Sequence, residues 1–556
     1  MLDGGAGADM LDGGAGRDRL VFRGDPARGV LVDLGSGAAR DAWGFWDRIS
    51  RIEDAEGTRF ADMLLGDGGS NTLWGGAGDD VLDGQGGGDL LAGGSGDDHY
   101  SIRHISDRVV EAADEGQDRV DVWVSGWAVT PGAAVEALHL RVAGRLSGGA
   151  GDDRLIAEAG AAILDGLGGD DHLTGGAGDD LLRGGEGADT LAGREGADRL
   201  EGGAGDDLYV IADGRAVATE LPGEGSDTAL VAVDGWAAGA NIETLRLTDA
   251  ATQLDGTAAG ETIWANALLG SVVDGRGGND VIWGGFGGDT LRGGAGDDIL
   301  LGVAGADALE GGAGDDLYVL PDATATVTEQ PGGGRDTAWM LGDADWRLAE
   351  GVEVGILGGA ARRLSGSAGN DILLGNGTLA NIIEGGAGDD QIYGGALADT
   401  LSGGLGNDAF MGMGGGDLMR GGAGDDLYVI GDLRDVAWEL DGEGTDVALV
   451  TTPVWRVSPG IEVVWLIGDG AALLAGEGAQ ILVGHAGAPA CWKAAGATTP
   501  SGARPMRTCS PAGRGTTSWW SAAARTGCAS TWPTGGMTAS SGSAPMRCWT
   551  FGAAAS

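Results

Sequence analysis

Large apolar residues recur at every ninth position over long stretches of this chain. From 148 to 210 the sequence reads GGAGDDRLI AEAGAAILD GLGGDDHLT GGAGDDLLR GGEGADTLA GREGADRLE GGAGDDLYV, without an insertion. The consensus is G-G-x-G-x-D-x-U-x, where U is a large apolar residue. The alternation in x-U-x predicts a very short strand with U facing inward. The glycines before it predict a tight turn that a Cβ would hinder.

The period also predicts how the units stack. Two nonapeptides make one flattened coil, and successive coils pair as parallel strands around a thin core of U side chains. Residues 18 apart become neighbours, so Asp171 is expected above Asp189, and Asp189 above Asp207. Carboxylates on adjacent strands then lie roughly 4.8 Å apart, a repulsion of about 3 kcal/mol per pair at an effective dielectric constant near 20.

A hard divalent cation between the turns would convert this repulsion into cross-linking. Calcium fits best, because it accepts six to eight oxygen ligands in flexible geometry, whereas magnesium requires a tight octahedron. The sequence has no clustered His and Cys residues that would favour zinc. For any single aspartate the alternative is a solvated turn residue without a ligand.

The repeat closely resembles the hemolysin-type calcium-binding (RTX) nonapeptide. The resemblance implies an all-β fold of parallel β-rolls (a β-solenoid) in tandem, interrupted by β-rich spacers, and multiple Ca²⁺ ions bound by sixth-position aspartates and glycine-turn carbonyls. Carried over by position, these aspartates are Asp80, Asp89, Asp98, Asp153, Asp171, Asp180, Asp189, Asp198, Asp207, Asp280, Asp289, Asp298, Asp307, Asp316, Asp371, Asp390, Asp399, Asp408, Asp417 and Asp426.

Several units depart from the pattern. Ala162 and Asn71 replace the aspartate, and Glu261 substitutes a longer carboxylate. Asp9 and Asp18 keep the aspartate, but we expect them to lack a third coil. We expect weak sites or none at these five positions.

The pattern divides the chain into rolls and spacers. The predicted segments are partial repeats at 1–21, a spacer at 22–65, roll 1 at 66–101, a spacer at 102–147, roll 2 at 148–210, a spacer at 211–255, roll 3 at 256–319, a spacer at 320–365, roll 4 at 366–429, a spacer at 430–475, a partial repeat at 476–490 and a tail at 491–556.

The spacers share an order of their own. Each follows a nonapeptide ending in a tyrosine, which we interpret as an end cap of the roll core; these are Tyr100, Tyr209, Tyr318 and Tyr428. An aspartate recurs in one phase at Asp118, Asp227, Asp336 and Asp446, and a tryptophan at Trp127, Trp236, Trp346 and Trp455. Their alternating stretches predict strands. Recurring tryptophan in such a context favours core packing over the alternative, a sugar-binding platform.

Composition and charge exclude several classes of function. The net charge of −50 argues against nucleic-acid binding and against anionic membrane surfaces. The sequence contains no run of 18 apolar residues, so it predicts no membrane span. The N-terminal sequence begins within a repeat and lacks the features of a signal peptide. We therefore expect either a fragment or a protein exported without a cleaved leader.

The tail differs from everything before it. All 84 acidic residues lie in the first 490 residues, whereas all four cysteines, Cys491, Cys509, Cys528 and Cys548, lie after them. Their spacing matches no compact zinc motif. Back-translation with GC-rich codons in another reading frame restores repeat-like sequence, so we interpret 491–556 as frameshifted. The alternative is a genuine basic tail, and the coding DNA distinguishes the two.

Catalytic motifs are not found: the sequence contains no H-E-x-x-H, G-x-S-x-G or G-K-[ST]. The resemblance implies an extracellular, calcium-dependent scaffold that is not an enzyme and is exported by the type I secretion machinery. One alternative is the repeat portion of a secreted enzyme or toxin such as a protease, lipase or pore-former. Another is a cell-surface adhesin that uses the spacers as ligand sites.

Overall fold

A computed structural model describes residues 1–23, 28–112, 115–129, 134–330 and 332–467, and the backbones of 472–475, 481–483 and 491–494. The regular secondary structure of these residues is entirely β. In this part of the chain, no helix is long and apolar enough to cross a membrane. The partial repeat predicted at 476–490 and the tail at 491–556 lie outside the described residues, apart from the backbones of two short strands.

The strands are short, mostly of three to six residues. The first twelve are β1 (Met10–Asp12), β2 (Arg19–Val21), β3 (Leu31–Asp33), β4 (Ala38–Arg40), β5 (Trp46–Ser50), β6 (Asp54–Glu56), β7 (Met63–Asp67), β8 (Thr72–Ala77), β9 (Val81–Gln85), β10 (Leu90–Ser95), β11 (His99–Ile102) and β12 (Arg108–Val109). The next twelve are β13 (Arg119–Val122), β14 (Trp127–Ala128), β15 (Ala137–Leu140), β16 (Gly144–Ser147), β17 (Arg154–Ala157), β18 (Ala162–Gly168), β19 (His172–Thr174), β20 (Leu181–Glu186), β21 (Thr190–Ala192), β22 (Arg199–Ala204), β23 (Leu208–Ile211) and β24 (Val217–Thr219).

The second half of the chain continues in the same way. It begins with β25 (Thr228–Val231), β26 (Thr244–Leu247), β27 (Gln253–Asp255), β28 (Thr262–Trp264), β29 (Val272–Gly277), β30 (Val281–Trp283), β31 (Thr290–Ala295), β32 (Ile299–Leu301), β33 (Ala308–Ala313), β34 (Leu317–Leu320), β35 (Thr326–Val327) and β36 (Thr337–Met340). It ends with β37 (Trp346–Arg347), β38 (Val354–Leu357), β39 (Arg363–Ser365), β40 (Ile372–Leu374), β41 (Ile382–Ala387), β42 (Gln391–Gly395), β43 (Thr400–Leu405), β44 (Ala409–Met413), β45 (Leu418–Ala423), β46 (Leu427–Ile430), β47 (Val436–Ala437), β48 (Val447–Val450), β49 (Val454–Arg456), β50 (Val463–Leu466), β51 (Ala472–Ala475), β52 (Ile481–Val483) and β53 (Cys491–Ala494).

These strands form a parallel β-solenoid, as the repeat predicts. One side of the flattened coil is a single 28-stranded sheet. The opposite side is divided into five sheets of 5, 6, 5, 6 and 3 strands. Among the described strands, the antiparallel pairs are β3–β4 and β4–β5, a three-stranded meander within the long sheet near its start.

Most coils within a roll are offset by 18 residues, so that Leu182 pairs with Leu200. The first coils of rolls 3 and 4 are offset by 19 residues, as in the pairs Thr262 with Val281 and Ile372 with Gln391. The spacers are β-rich, as expected, and their strands continue the long sheet. In the spacer after roll 2, Tyr209 pairs with Ala229 at an offset of 20, and Ala229 pairs with Leu245 at an offset of 16. Rolls and spacers are therefore parts of one solenoid that differ in the length of the coil.

The U residues form the core. Leu164, Leu173, Leu182, Leu191 and Leu200 are fully buried in consecutive units of roll 2. This confirms the inward orientation that the alternating pattern predicts.

The end-cap interpretation of the tyrosines is wrong. All four are fully buried, because another coil stacks on each of them. The residue that pairs with Tyr209 in that coil is Ala229, and Tyr318 pairs with Ala338. The large ring fills the core beside a small partner, so the tyrosine marks a junction between two kinds of coil.

The recurring tryptophans belong to the core, as predicted. Trp127, Trp236 and Trp455 are buried, and the indole N–H of each donates to a backbone carbonyl of the preceding coil at 2.9–3.0 Å. Trp346 is half-buried and packs against the same core. The sugar-platform alternative does not fit the three buried rings.

Candidate metal centres

All twenty predicted aspartates are buried, with no more than 8% of any of them exposed. Each lies in the turn immediately before a strand; Asp171, for example, precedes β19 and Asp189 precedes β21. The alternative of a solvated turn residue is therefore wrong for these positions.

The aspartates form hydrogen-bonded ladders along the solenoid. One carboxylate oxygen, Oδ1, accepts the backbone N–H of the residue one coil earlier. Asp171 donates in this way to Asp189, and Asp189 donates to Asp207, each at 2.7 Å. The predicted stacking of these three residues is confirmed.

Such ladders lie in two rows along the two edges of the flattened coil, and each row is interrupted within the spacers, where for example Asp227 donates to Glu243. The ladder beside the long sheet contains Asp62, Asp80, Asp98, Asp118, Asp153, Asp171, Asp189, Asp207, Asp227, Asp280, Asp298, Asp316, Asp336, Asp371, Asp390, Asp408, Asp426 and Asp446. The ladder beside the shorter sheets contains Asp89, Asp107, Asp180, Asp198, Asp289, Asp307, Asp399, Asp417 and Asp435.

The second carboxylate oxygen, Oδ2, has no hydrogen-bond partner at fifteen of the twenty predicted positions, although it is buried. These are Asp80, Asp89, Asp98, Asp171, Asp189, Asp198, Asp207, Asp280, Asp298, Asp316, Asp390, Asp399, Asp408, Asp417 and Asp426. A buried carboxylate oxygen without a donor is costly. A cation bound to this oxygen would offset that cost.

Each of these oxygens points toward the first glycine of its own nonapeptide. A Cβ placed on Gly166 would overlap Asp171 Oδ2 and would lie 2.8 Å from the carbonyl oxygen of Gly184 in the next coil. Asp80 Oδ2 and the Gly93 carbonyl flank Gly75 in the same way, the carbonyl at 2.7 Å. The glycine thus leaves room where a carboxylate and a carbonyl oxygen converge.

This donor set fits a hard divalent cation. It consists of oxygens alone, carries negative charge and combines carboxylates with backbone carbonyls, which is the chemistry that calcium prefers. Burial and the neighbouring carboxylates raise the pKa of Asp80 to about 8, and that of Asp171 and Asp207 to about 7. A bound cation would relieve the cost of holding these groups ionised.

The units with Asn71, Glu261 and Ala162 in place of the aspartate differ in the hydrogen bonds that these residues make. The Asn71 side chain is satisfied without a metal, because its oxygen accepts the Asp67 N–H at 2.9 Å and its amide donates to a backbone carbonyl. Glu261 is buried and hydrogen-bonded to Thr257. Ala162 donates its N–H to Asp180, which continues the ladder without a carboxylate.

The N-terminal units are supported by more structure than expected. Strand β1 pairs with β5, and the Asp9 N–H donates to Asp47 at 2.8 Å. Asp9 Oδ2 is buried without a partner. The spacer at 22–65 therefore supplies the next coil, which corrects the expectation that Asp9 lacks one.

Sequence reasoning missed the ladder positions in the spacers, namely Asp62, Asp107, Asp118, Asp227, Asp336, Asp435 and Asp446. Four of these recur in one phase after the tyrosines, which was a usable signal. The recurrence is visible in the sequence, but the spacers lack the glycines of the nonapeptide that would mark these aspartates as ladder positions.

The chain matches the family model of the RTX calcium-binding nonapeptide repeat (4 copies). The matched segments are 1–22, 56–100, 144–173, 158–191, 174–209, 271–300, 283–318, 363–378, 376–410 and 396–428. The chain carries RTX calcium-binding nonapeptide repeats. A search of curated proteins gave no significant match.

Many of the RTX matches cover 18-residue coils, as at 144–209, but the match at 1–22 includes β1, which pairs with β5, and the match at 363–378 includes a 19-residue coil in which Arg363 pairs with Ile382. The matches over 144–209 end at the Tyr209 nonapeptide, where the 20-residue offset begins. The RTX repeats are calcium-binding repeats, and here they supply every predicted aspartate.

Proposed function

We propose that this RTX protein binds several calcium ions through its aspartate ladders and folds into an extracellular scaffold when it does so. The observation that carries the proposal is the buried, unpartnered Oδ2 facing a glycine carbonyl of the next coil, as at Asp171 and Gly184. We assign the twenty predicted aspartates as ligands, with these carbonyls completing the coordination.

Charge supports the coupling of binding to folding. The net charge is −50, and the ladders bury carboxylates that repel one another. Without cations this repulsion favours the open chain. When a metal binds only the folded form, its binding free energy adds to the stability of that form. Extracellular calcium modules bind at roughly 10⁻⁴ to 10⁻³ M, which places the transition outside the cell.

Export by the type I secretion machinery is part of the same proposal. RTX proteins are typically secreted. The first 490 residues contain no cysteine, so folding there needs no disulfide. A chain that stays open at low calcium and folds in external calcium suits export in an unfolded state. The role we propose is structural, since the described residues form a solenoid and the supporting chemistry is that of cation binding.

Calcium titration of the full chain, followed by circular dichroism, tests this proposal. We expect little β signal in a chelator, a cooperative rise as calcium is added, and reversal on chelation. Equilibrium dialysis should give many bound ions per chain, and magnesium at the same concentration should substitute poorly. A chain that folds fully without calcium, or binds none, would falsify the proposal.

A further inference from the structure

A glutamate follows each junction tyrosine by eleven residues. The pairs are Tyr100 and Glu111, Tyr209 and Glu220, Tyr318 and Glu329, and Tyr428 and Glu439. These glutamates lie outside the nonapeptides, and all four are buried. Each lies in the coil that stacks on the last nonapeptide of a roll.

At the junction after roll 2, Glu220 meets two ladder aspartates. Carboxylate oxygens of Asp207, Glu220 and Asp227 lie within 4.8 Å of one another. The three side chains are 2%, 5% and 1% exposed. Asp207 Oδ2 and Glu220 Oε2 are buried without a hydrogen-bond partner. Three buried carboxylates, two of which have an oxygen without a hydrogen-bond partner, thus converge at this turn.

Glu220 occupies the position of a glycine. It follows Gly202 by 18 residues, which is where a roll would place the first glycine of the next nonapeptide. Within roll 2, the carbonyl of Gly184 lies beside Gly166 and Asp171 Oδ2. At the junction, Glu220 Oε1 lies beside Gly202 in the corresponding place, 2.5 Å from where a Cβ would be. A carboxylate oxygen has replaced a carbonyl oxygen.

The surrounding contacts hold the glutamate in this position. The Gly202 N–H donates to Glu220 Oε1 at 3.1 Å and to the Tyr209 hydroxyl oxygen at 2.8 Å. The Asp207 N–H donates to Asp227 across the 20-residue offset at 2.8 Å. The longer coil thereby brings Asp227 into the ladder position beside Glu220.

The corresponding hydrogen bonds from the glycine to the glutamate and between the two aspartates recur at the other three junctions. The Gly93 N–H donates to Glu111 at 3.0 Å and the Gly311 N–H to Glu329 at 2.9 Å. Glu439 accepts from Gly421 and from the Tyr428 hydroxyl. In each case the ladder aspartate donates its N–H to an aspartate 20 residues later.

We propose that each junction binds one further divalent cation, held by the glutamate together with the two ladder aspartates. The donors are all oxygens, so the ion is calcium under extracellular conditions. With the glutamate in place of a glycine carbonyl, the last turn of each roll keeps its coordination where the nonapeptide pattern ends. The inference rests on the proposed function, because it assumes that the neighbouring turns also bind calcium.

The competing arrangement is a protonated glutamate that hydrogen-bonds to an aspartate and needs no metal. The two arrangements differ in whether they need the negative charge of the glutamate. A glutamine keeps the shape and the acceptor for the glycine N–H but removes that charge. It should therefore abolish a metal site and leave a purely hydrogen-bonded junction nearly intact.

The test compares two fourfold variants of the full chain at pH 7.5. One carries E111Q, E220Q, E329Q and E439Q. The control carries E158Q, E186Q, E195Q and E350Q, which change four exposed glutamates. Calcium is set at the lowest concentration that saturates the unmodified chain, folding is checked by circular dichroism, and bound calcium is counted by equilibrium dialysis with elemental analysis.

We expect the junction variant to bind four fewer ions per chain and the control to match the unmodified chain. A folded junction variant with the full number of ions overturns the inference and leaves the ladder sites standing. If that variant does not fold, E220Q/E329Q is measured instead, where the loss of two ions supports the inference and no loss overturns it. An unmodified chain without bound calcium overturns both proposals.

Discussion

At the scale of the residue, the sixth-position aspartate performs two tasks with its two oxygens. Oδ1 fixes the register by accepting an N–H from the preceding coil, as in the bond from Asp171 to Asp189. Oδ2 is buried without a hydrogen-bond partner at most of these positions, and in the function we propose it binds a cation. The first glycine matters for the space it leaves, because a Cβ there would displace the free oxygen.

Gly184→Ala tests the role of this space. A Cβ at Gly184 would overlap Asp189 Oδ2. We expect the loss of the ion at this turn and a destabilisation of the calcium-loaded protein by about 1–3 kcal/mol, as for other overpacked sites. Thermal denaturation in calcium and calcium dialysis measure the two effects.

Gly151→Ala is the matched control in the same roll. No atom lies within 4 Å of the position its Cβ would take, and its backbone is not left-handed. Its effect should stay within roughly 0.5 kcal/mol, as for ordinary surface changes. Equal effects of the two substitutions would contradict the role given to the glycine.

At the scale of the element, the junctions adapt one coil length to another. The large tyrosine of each last nonapeptide meets a small residue in the following coil at three of the four junctions, namely Ala229, Ala338 and Ala448. At the first junction the partner is Val120. At the other three junctions the small partner leaves room for the tyrosine ring where the nonapeptide pattern ends.

Ala229→Leu should disturb this balance. Ala229 is fully buried against Tyr209, so the larger side chain has no space. We expect a destabilisation of about 1–3 kcal/mol, measured by chemical denaturation in saturating calcium. Adding Tyr209→Leu to Ala229→Leu should recover part of the loss, with a coupling energy of about 0.5–3 kcal/mol. Strict additivity of the two changes would show that the residues do not share one packing site.

At the scale of the whole molecule, the long sheet connects the described rolls and spacers. The buried ladder aspartates that precede its strands share one electrostatic property, a raised pKa. Burial is the main cause that raises the pKa of Asp80 and Asp280 to about 8, and of Asp98, Asp390 and Asp426 to about 7. The calcium-free folded form therefore binds protons more tightly than the unfolded chain, in which an aspartate has a pKa near 4.

This difference predicts two opposite pH trends. Without calcium, the stability of the folded form should rise as the pH falls through about 8 to 7, and the gain should be complete below about pH 4. Calcium binding should weaken over the same fall in pH, because protons compete for the ligands. Circular dichroism in a chelator and calcium dialysis, each at pH 8 and pH 5.5, test the trends. If the stability of the calcium-free form and the affinity for calcium changed in the same direction, the groups with raised pKa values would not be the calcium ligands of the ladders.

The long sheet also brings distant surface residues into one row. Trp264 and Trp283 face outward on adjacent strands, and their rings stack with centroids 4.9 Å apart. Leu301 and Val319 follow in the same row on the next two strands. These residues occupy the variable last position of their units, so their alignment follows from the pairing of the strands.

The sequence by itself determined the solenoid, the inward U residues and the main ladder positions, because a strict period of nine makes residues 18 apart neighbours wherever the repeat holds. Asp171 above Asp189 needed no further information. Only the tertiary structure decided what happens where the period breaks. The offset that pairs Tyr209 with Ala229 and brings Glu220 between Asp207 and Asp227 depends on long-range strand pairing. Local composition does not encode such an offset, since hydrogen bonds between distant segments select it.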